Sequence, residues 1–119
     1  MQIVGIGTDI IEVARIEKAL ENENFKSKFL RANEIEKLNQ RDAKIQTYAG
    51  RFAAKEAIVK ALGTGFGNVS ALDLEIVNDA LGKPVAKIML EEYKSYTCHL
   101  SISHIKETAI AYALVTKED

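Results

Sequence analysis

Apolar side chains recur along this chain with two different periods, and the change of period falls after the glycine-rich stretch at residues 63–68. Before it, the spacing is helical apart from one opening strand. MQIVGIGTDI combines β-branched residues with two glycines and ends in Thr8-Asp9, which predicts a strand opening onto a turn or helix start, with Asp9 at the strand's C-terminal end. From Ile11 to about Leu30, Val13, Ile16, Ala19 or Leu20, Phe25 and Phe29 return at helical intervals. The polar ENEN segment around Asn22 breaks that run, so a helix followed by a shorter helical turn is expected.

Asn33 followed by Glu36 predicts a capping box for a short helix over Glu34 to Asn39. The segment from about Ala43 to Leu62 is rich in Ala, Lys, Glu and Leu and stops at Gly63, a natural left-handed cap. It is the strongest helix signal in the chain. Beyond GTGFGN the period becomes two: LDLEIV and VAKIML flank NDALGKP as a hairpin, and CHLSISH and TAIAYALV form a second pair after the charged connection EEYKSY.

The sum is an α+β fold, a small antiparallel sheet packed with a long central helix, the first strand able to join the sheet. With 119 residues and no linker or low-complexity tract, residues 1–119 form a single domain. Folding at this size buries roughly two-thirds of the unfolded chain's surface, so no covalent staple is required. The tail from Lys117 to Asp119 reads as a solvated terminus without a role.

Composition narrows the function classes. Sixteen Lys plus Arg against seventeen Asp plus Glu gives a formal net charge of -1, without the basic field of a nucleic-acid binder. No apolar stretch approaches the roughly 20 residues that span a bilayer. One cysteine, Cys98, excludes an internal disulfide framework, and the N-terminus lacks a signal-peptide pattern, so a cytoplasmic protein is expected.

Candidate chemistry gathers on RFAAKEAIVKALGTG, residues 51–65. On a helical wheel Ala49, Phe52, Ala53, Glu56 and Lys60 share one arc. Glu56 and Lys60 at i and i+4 read either as an exposed ion pair of a few tenths of a kcal/mol or as part of a site. Small residues at Ala53, Ala54, Ala57 and Ala61 allow close backbone approach, and the amides of a loop with Gly63, Gly65 and Gly67 can face phosphate oxygens; the alternative is an ordinary cap and turn.

Asp9 reads as an N-cap, or as a second carboxylate for Mg²⁺, which takes oxygen ligands from protein, phosphates and water. Ser101, Ser103 and His104 can bond a phosphate or ring edge, or form the solvent face of a strand. Neighbouring Ser103 and His104 point to opposite faces with no strand-turn-helix elbow, which argues against a serine hydrolase. One Cys and two His offer no zinc spacing. His99 reads as a surface or interface position.

Three blocks together carry a resemblance: GIGTDIIEVARIE at 5–17, GRFAAKEAIVKALGTGFG at 50–67 and LSISHIKETAIAYALV at 100–115. In order and spacing they resemble the bacterial holo-[acyl-carrier-protein] synthases, the short 4'-phosphopantetheinyl transferases. The resemblance implies Mg²⁺-dependent transfer of phosphopantetheine from coenzyme A to a serine of apo acyl carrier protein. Adenosine 3',5'-bisphosphate would be released.

Carried over by motif, Asp9 and Glu56 are the implied metal ligands, Lys60 the implied phosphate lysine, and Glu56 the implied base, directly or through a metal-bound water. Arg51, Ser103, His104 and the amides near Gly63 and Gly65 are implied nucleotide contacts. The resemblance also implies a homotrimer with sites between subunits. It implies a basic helix that docks the acidic carrier, which Arg15 fits. Beyond Arg15 the chain differs, with Glu17, Glu21 and Glu23 among Lys18, Lys26 and Lys28, so docking is expected to use Arg15, Lys26, Lys28 and Arg31 in a different arrangement. A non-catalytic coenzyme A or nucleotide-binding module and a Mg²⁺-dependent phosphohydrolase are the alternatives.

Overall fold

A glycine contact sets the architecture. In the computed structural model, which describes residues 1–65 and 68–119, strand β1 (Gln2–Glu12) lies directly on helix α4 (Ile45–Leu62). A Cβ at Gly5 would stand 2.2 Å from the carbonyl oxygen of Ala61, and one at Gly7 2.0 Å from that of Ala57. Only a bare backbone fits there. Gly50 meets β4 (Tyr96–His104) similarly, its Cβ position 2.8 Å from Ile102 Cγ2.

Three short helices connect β1 to α4: α1 (Val13–Ala19), α2 (Phe25–Phe29) and α3 (Ala32–Gln40). The break around Asn22 falls where the polar run predicted it. The predicted capping box does not form at Asn33. Glu34 instead reaches back to accept from the Arg31 amide at 2.7 Å, while Asn33 Nδ2 donates to Glu75 Oε2 at 2.9 Å, so α3 begins two residues earlier than expected.

After α4 the chain forms β2 (Leu74–Asn78), β3 (Pro84–Ile88), β4 and β5 (Thr108–Lys117). The strands divide into two antiparallel sheets, where one was expected: β1-β5-β4 and the separate hairpin β2-β3. Alanines 109, 111 and 113 and Val115 of β5 face α4 and are fully buried. Their small size lets the helix sit close. The helix contributes Ala49, Ala53, Ala54, Ala57, Ile58, Val59 and Ala61 to the core, burying nearly its whole circumference between the sheets and the short helices. Lys117 is not loose, as the tail was expected to be: it closes β5 opposite Gln2, its ammonium 5.5 Å from the Tyr96 ring centroid.

The loop after α4 begins with Gly63 in the left-handed conformation (φ 74°), its amide donating to the Val59 and Lys60 carbonyls. The expected glycine at 67 lies outside the described residues. No helix among the described residues is long and apolar enough to cross a membrane.

Candidate active site

Asp9 is not at the end of a strand. β1 continues through Ile10, Ile11 and Glu12, paired with Ile110, Ala109 and Thr108, because the β-branched pair after Asp9 extends the ladder. Nor does Asp9 cap α1, whose first residue is Val13. Its place follows from strand periodicity: Gly7 packs on Ala57, and Asp9, two residues on, shares that face. The carboxylate is thereby carried to the flank of α4 that bears Glu56 and Lys60.

There the Lys60 ammonium donates to Asp9 Oδ1 at 3.1 Å and to the Thr8 carbonyl at 3.0 Å. Lys60 is exposed, whereas Asp9 and Glu56 are half-buried. Glu56's carboxyl is held above the usual carboxylate range, chiefly by burial and secondly by the negative charge of Asp9, with Lys60 opposing. Two carboxylates and an ammonium therefore share one electrostatic neighbourhood.

Among the described residues no three His, Cys, Asp or Glu side chains gather as a metal cluster. The donor set still suits Mg²⁺, which commonly takes one or two carboxylates from protein and its other oxygens from substrate phosphates and water. The negative charge that Asp9 exerts on Glu56 is the observation that supports this fit: a bound cation would offset it.

The remaining predicted residues do not join that cluster within one chain. Arg51 is about 140° round the helix from Glu56 at ~100° per residue. It is 4% exposed, its Nη2 donating to Asn78 Oδ1 at 2.6 Å, an oxygen that also accepts from Arg41 Nη1 at 2.8 Å. Among the described residues Arg51 Nη1 has no hydrogen-bond partner, and burial, then Arg41, lower the side chain's pKa.

Ser103 and His104 lie on β4, the sheet edge opposite β1, and are exposed: Ser103 opposite Ile110 on the outer face, His104 opposite Ala109 on the helix face. Gly63 and Gly65 are open to solvent at the end of α4. The Gly63 amide is already engaged in the helix cap, so it does not offer the free donor expected of it. His99 Nε2 lies 3.2 Å from Thr116 Oγ1.

Of the basic residues, Arg15 projects from α1 and Lys28 from α2 into solvent. Lys26 sits 4.8 Å over the Tyr48 ring, and Arg31 Nη1 donates to the Leu72 carbonyl at 2.6 Å. The last two are thus partly engaged inside the fold.

Sequence reasoning missed Lys55, immediately before Glu56. Its ammonium is 1% exposed and donates to Glu34 Oε1 at 2.8 Å, Phe29 O at 2.7 Å, and Ala71 O and Leu74 O at 2.9 Å. One side chain ties α2, α3 and the approach to β2 onto α4. A lysine within the run of small residues Ala53, Ala54 and Ala57 was the available signal.

The family model of the 4'-phosphopantetheinyl transferase superfamily matches residues 5–113. The chain is 47% identical over 120 residues to the holo-[acyl-carrier-protein] synthase of Fusobacterium nucleatum, covering 95% of this chain and 98% of the relative. To that of Clostridium tetani it is 45% identical, with 98% of each chain covered. A crystal structure of the Bacillus anthracis holo-(acyl-carrier-protein) synthase in complex with CoA (3',5'-ADP) superposes with a TM-score of 0.85 at 44% identity, covering 99% of this chain and 100% of that one. The Helicobacter pylori enzyme in complex with coenzyme A gives 0.84 at 36%, covering 93% and 99%.

Proposed function

Since the chain belongs to the 4'-phosphopantetheinyl transferase superfamily, we propose that it transfers phosphopantetheine from coenzyme A to a serine of apo acyl carrier protein. The convergence of Asp9, Glu56 and Lys60 on one flank of α4 carries this reading. The serine oxygen attacks the phosphorus that bears the pantetheine arm. The bond from that phosphorus to the nucleotide breaks, and adenosine 3',5'-bisphosphate leaves.

Lys60 offsets charge on the phosphoryl oxygens, for which an exposed ammonium held beside a carboxylate is suited. Glu56 accepts the serine proton, and a carboxyl whose pKa is raised is better matched to that task than an ordinary one. Asp9 and Glu56 would hold Mg²⁺. When bound, that cation supplies charge neutralisation on the diphosphate.

The expected trimer draws support from the sheet's outer face, where Ile10 and Ile110 pair across strands at 68% and 44% exposure, with Ile6 and Tyr112 exposed beside them. An apolar surface of this kind favours burial against another copy. Ser103 shares that face, so a neighbouring copy would bring Ser103, with His104 next to it, toward a site they do not reach in one chain. Of the four expected docking residues, Arg15 and Lys28 are the exposed ones available to an acidic carrier. A cytoplasmic location accords with the single cysteine.

Intact-mass measurement of an apo carrier after incubation with the protein, coenzyme A and Mg²⁺ tests the reading. A gain of one phosphopantetheine, lost with chelator, is expected. Coenzyme A binding without any gain would leave a binding module, and coenzyme A cleavage without carrier would leave a phosphohydrolase.

A further inference from the structure

Lys60 stands in the last turn of α4 and holds two groups of β1 at once, Asp9 Oδ1 at 3.1 Å and the Thr8 carbonyl at 3.0 Å. The partners differ in exposure: the Asp9 side chain is 16% exposed and that of Lys60 53%. A carboxylate so covered has little water to balance its charge, and among the described residues Lys60 is its one ionic partner. Lys60 also acts on Glu56 as a favourable positive charge, where Asp9 acts as an unfavourable negative one.

One ammonium thus serves as counter-ion to two carboxylates. Those carboxylates are also the implied ligands of Mg²⁺, so the resident charge and an incoming divalent cation compete for Asp9 and repel each other. A diphosphate changes that balance. Lys60 carries its charge on a flexible four-carbon stem and is more than half exposed, so the ammonium can turn from Asp9 to a phosphoryl oxygen while α4 stays in place. The turn releases Asp9 to the cation.

We propose that Lys60 is a resident counter-ion that keeps divalent-cation binding weak until coenzyme A arrives, making cation and coenzyme A coupled ligands of one site. The inference rests on the transferase reading above and adds to it how the site is assembled. Coupling of this kind is reciprocal: the factor that coenzyme A adds to cation affinity is the factor that the cation adds to coenzyme A affinity.

Titration of Mn²⁺, a paramagnetic substitute for Mg²⁺, followed by electron paramagnetic resonance, tests the proposal without any turnover. It is run on the protein alone and on the protein with coenzyme A, against a protein-free coenzyme A control. Lys60→Ala and Lys60→Gln, which lack the competing charge, are expected to bind Mn²⁺ alone about three-fold tighter than wild type or more. Their gain in Mn²⁺ affinity on adding coenzyme A should be smaller than that of wild type by a similar factor. Adding Asp9→Asn to Lys60→Ala should abolish the tightening, which locates it at this carboxylate rather than in a general loss of positive charge.

Equal or weaker Mn²⁺ binding by the two lysine variants alone, with the circular dichroism of wild type, would overturn the proposal. An undiminished gain from coenzyme A in both would overturn it too, leaving Lys60 as a phosphate contact only. A wild-type chain that binds no coenzyme A in the presence of Mn²⁺ would overturn the transferase reading, and this proposal with it.

Discussion

The Lys60 ammonium lies 3.1 Å from Asp9 Oδ1, so the helix lysine answers a carboxylate on the neighbouring strand rather than Glu56 one turn before it. The pair joins α4 to β1 across the contact made by Gly5 and Gly7. Lys60 is more than half exposed, and such pairs contribute about 0–1 kcal/mol. Lys60→Ala should therefore leave the melting temperature nearly unchanged while lowering carrier modification by on the order of 100-fold or more, as loss of a charge-stabilising donor does. Full activity in a timed intact-mass assay would return Lys60 to a surface role.

Gly7→Ala is expected to be far more damaging to the fold. The new methyl would meet the Ala57 carbonyl at 2.0 Å and the Ala61 amide nitrogen at 2.8 Å, both backbone atoms that cannot rotate away. Destabilisation of ~3 kcal/mol or more is expected from such overpacking, measured by urea denaturation. Asp9 should be displaced with the strand, so residual folded protein should also transfer slowly.

Lys55→Met leaves Glu34 buried without its counter-charge, a change that typically costs about 3–5 kcal/mol. Neutralising both partners with Lys55→Met and Glu34→Gln should recover part of that loss. A double variant no more stable than Lys55→Met alone, in the same denaturation experiment, would show that the orphaned carbonyls rather than the charge dominate.

Glu56 carries a stability cost of its own. Because its carboxyl is raised above its unfolded value, mainly by burial, the folded state binds the proton more tightly. The cost is absent below the unfolded pKa and fully present above the folded one. Without added divalent cation, Glu56→Gln should thus melt higher than wild type at neutral pH, and the gap should close as pH falls through the carboxylate range. A lower melting temperature at neutral pH would mean the carboxylate is stabilising. Transfer should be lost in the same variant.

Ile110→Lys places a charge in the middle of the outer sheet face without touching α4. Sedimentation should show the proposed assembly falling to a single chain, with transfer lost while circular dichroism is retained. An unaltered assembly would remove this face from the interface.

The sequence was most legible where one residue class repeats. The helix ending at Gly63 was readable because alanines and lysines hold a helical period up to a glycine that a left-handed turn requires. The hairpins were readable because apolar and polar residues alternate. What it hid was tertiary: Asp9 sits mid-strand because β5 supplies partners beyond it, and α3 starts early because Glu34 is needed both by the Arg31 amide and by Lys55. The purpose of Lys55 depends on four acceptors from three segments, none adjacent in sequence. Likewise the partner that engages Arg51, Asn78, is one that no local pattern connects to it.

The pairing of the first strand with the last also bears on how the chain comes into being. During synthesis β1 is made before α4 and well before the segment that completes its ladder, residues 108–117. Until then its isoleucines have no partner strand, and Asp9 has no fixed position relative to Glu56. Long-range pairing of this kind is slow to form and leaves strand edges exposed while it waits. Activity is therefore expected to appear with closure of the fold rather than to precede it.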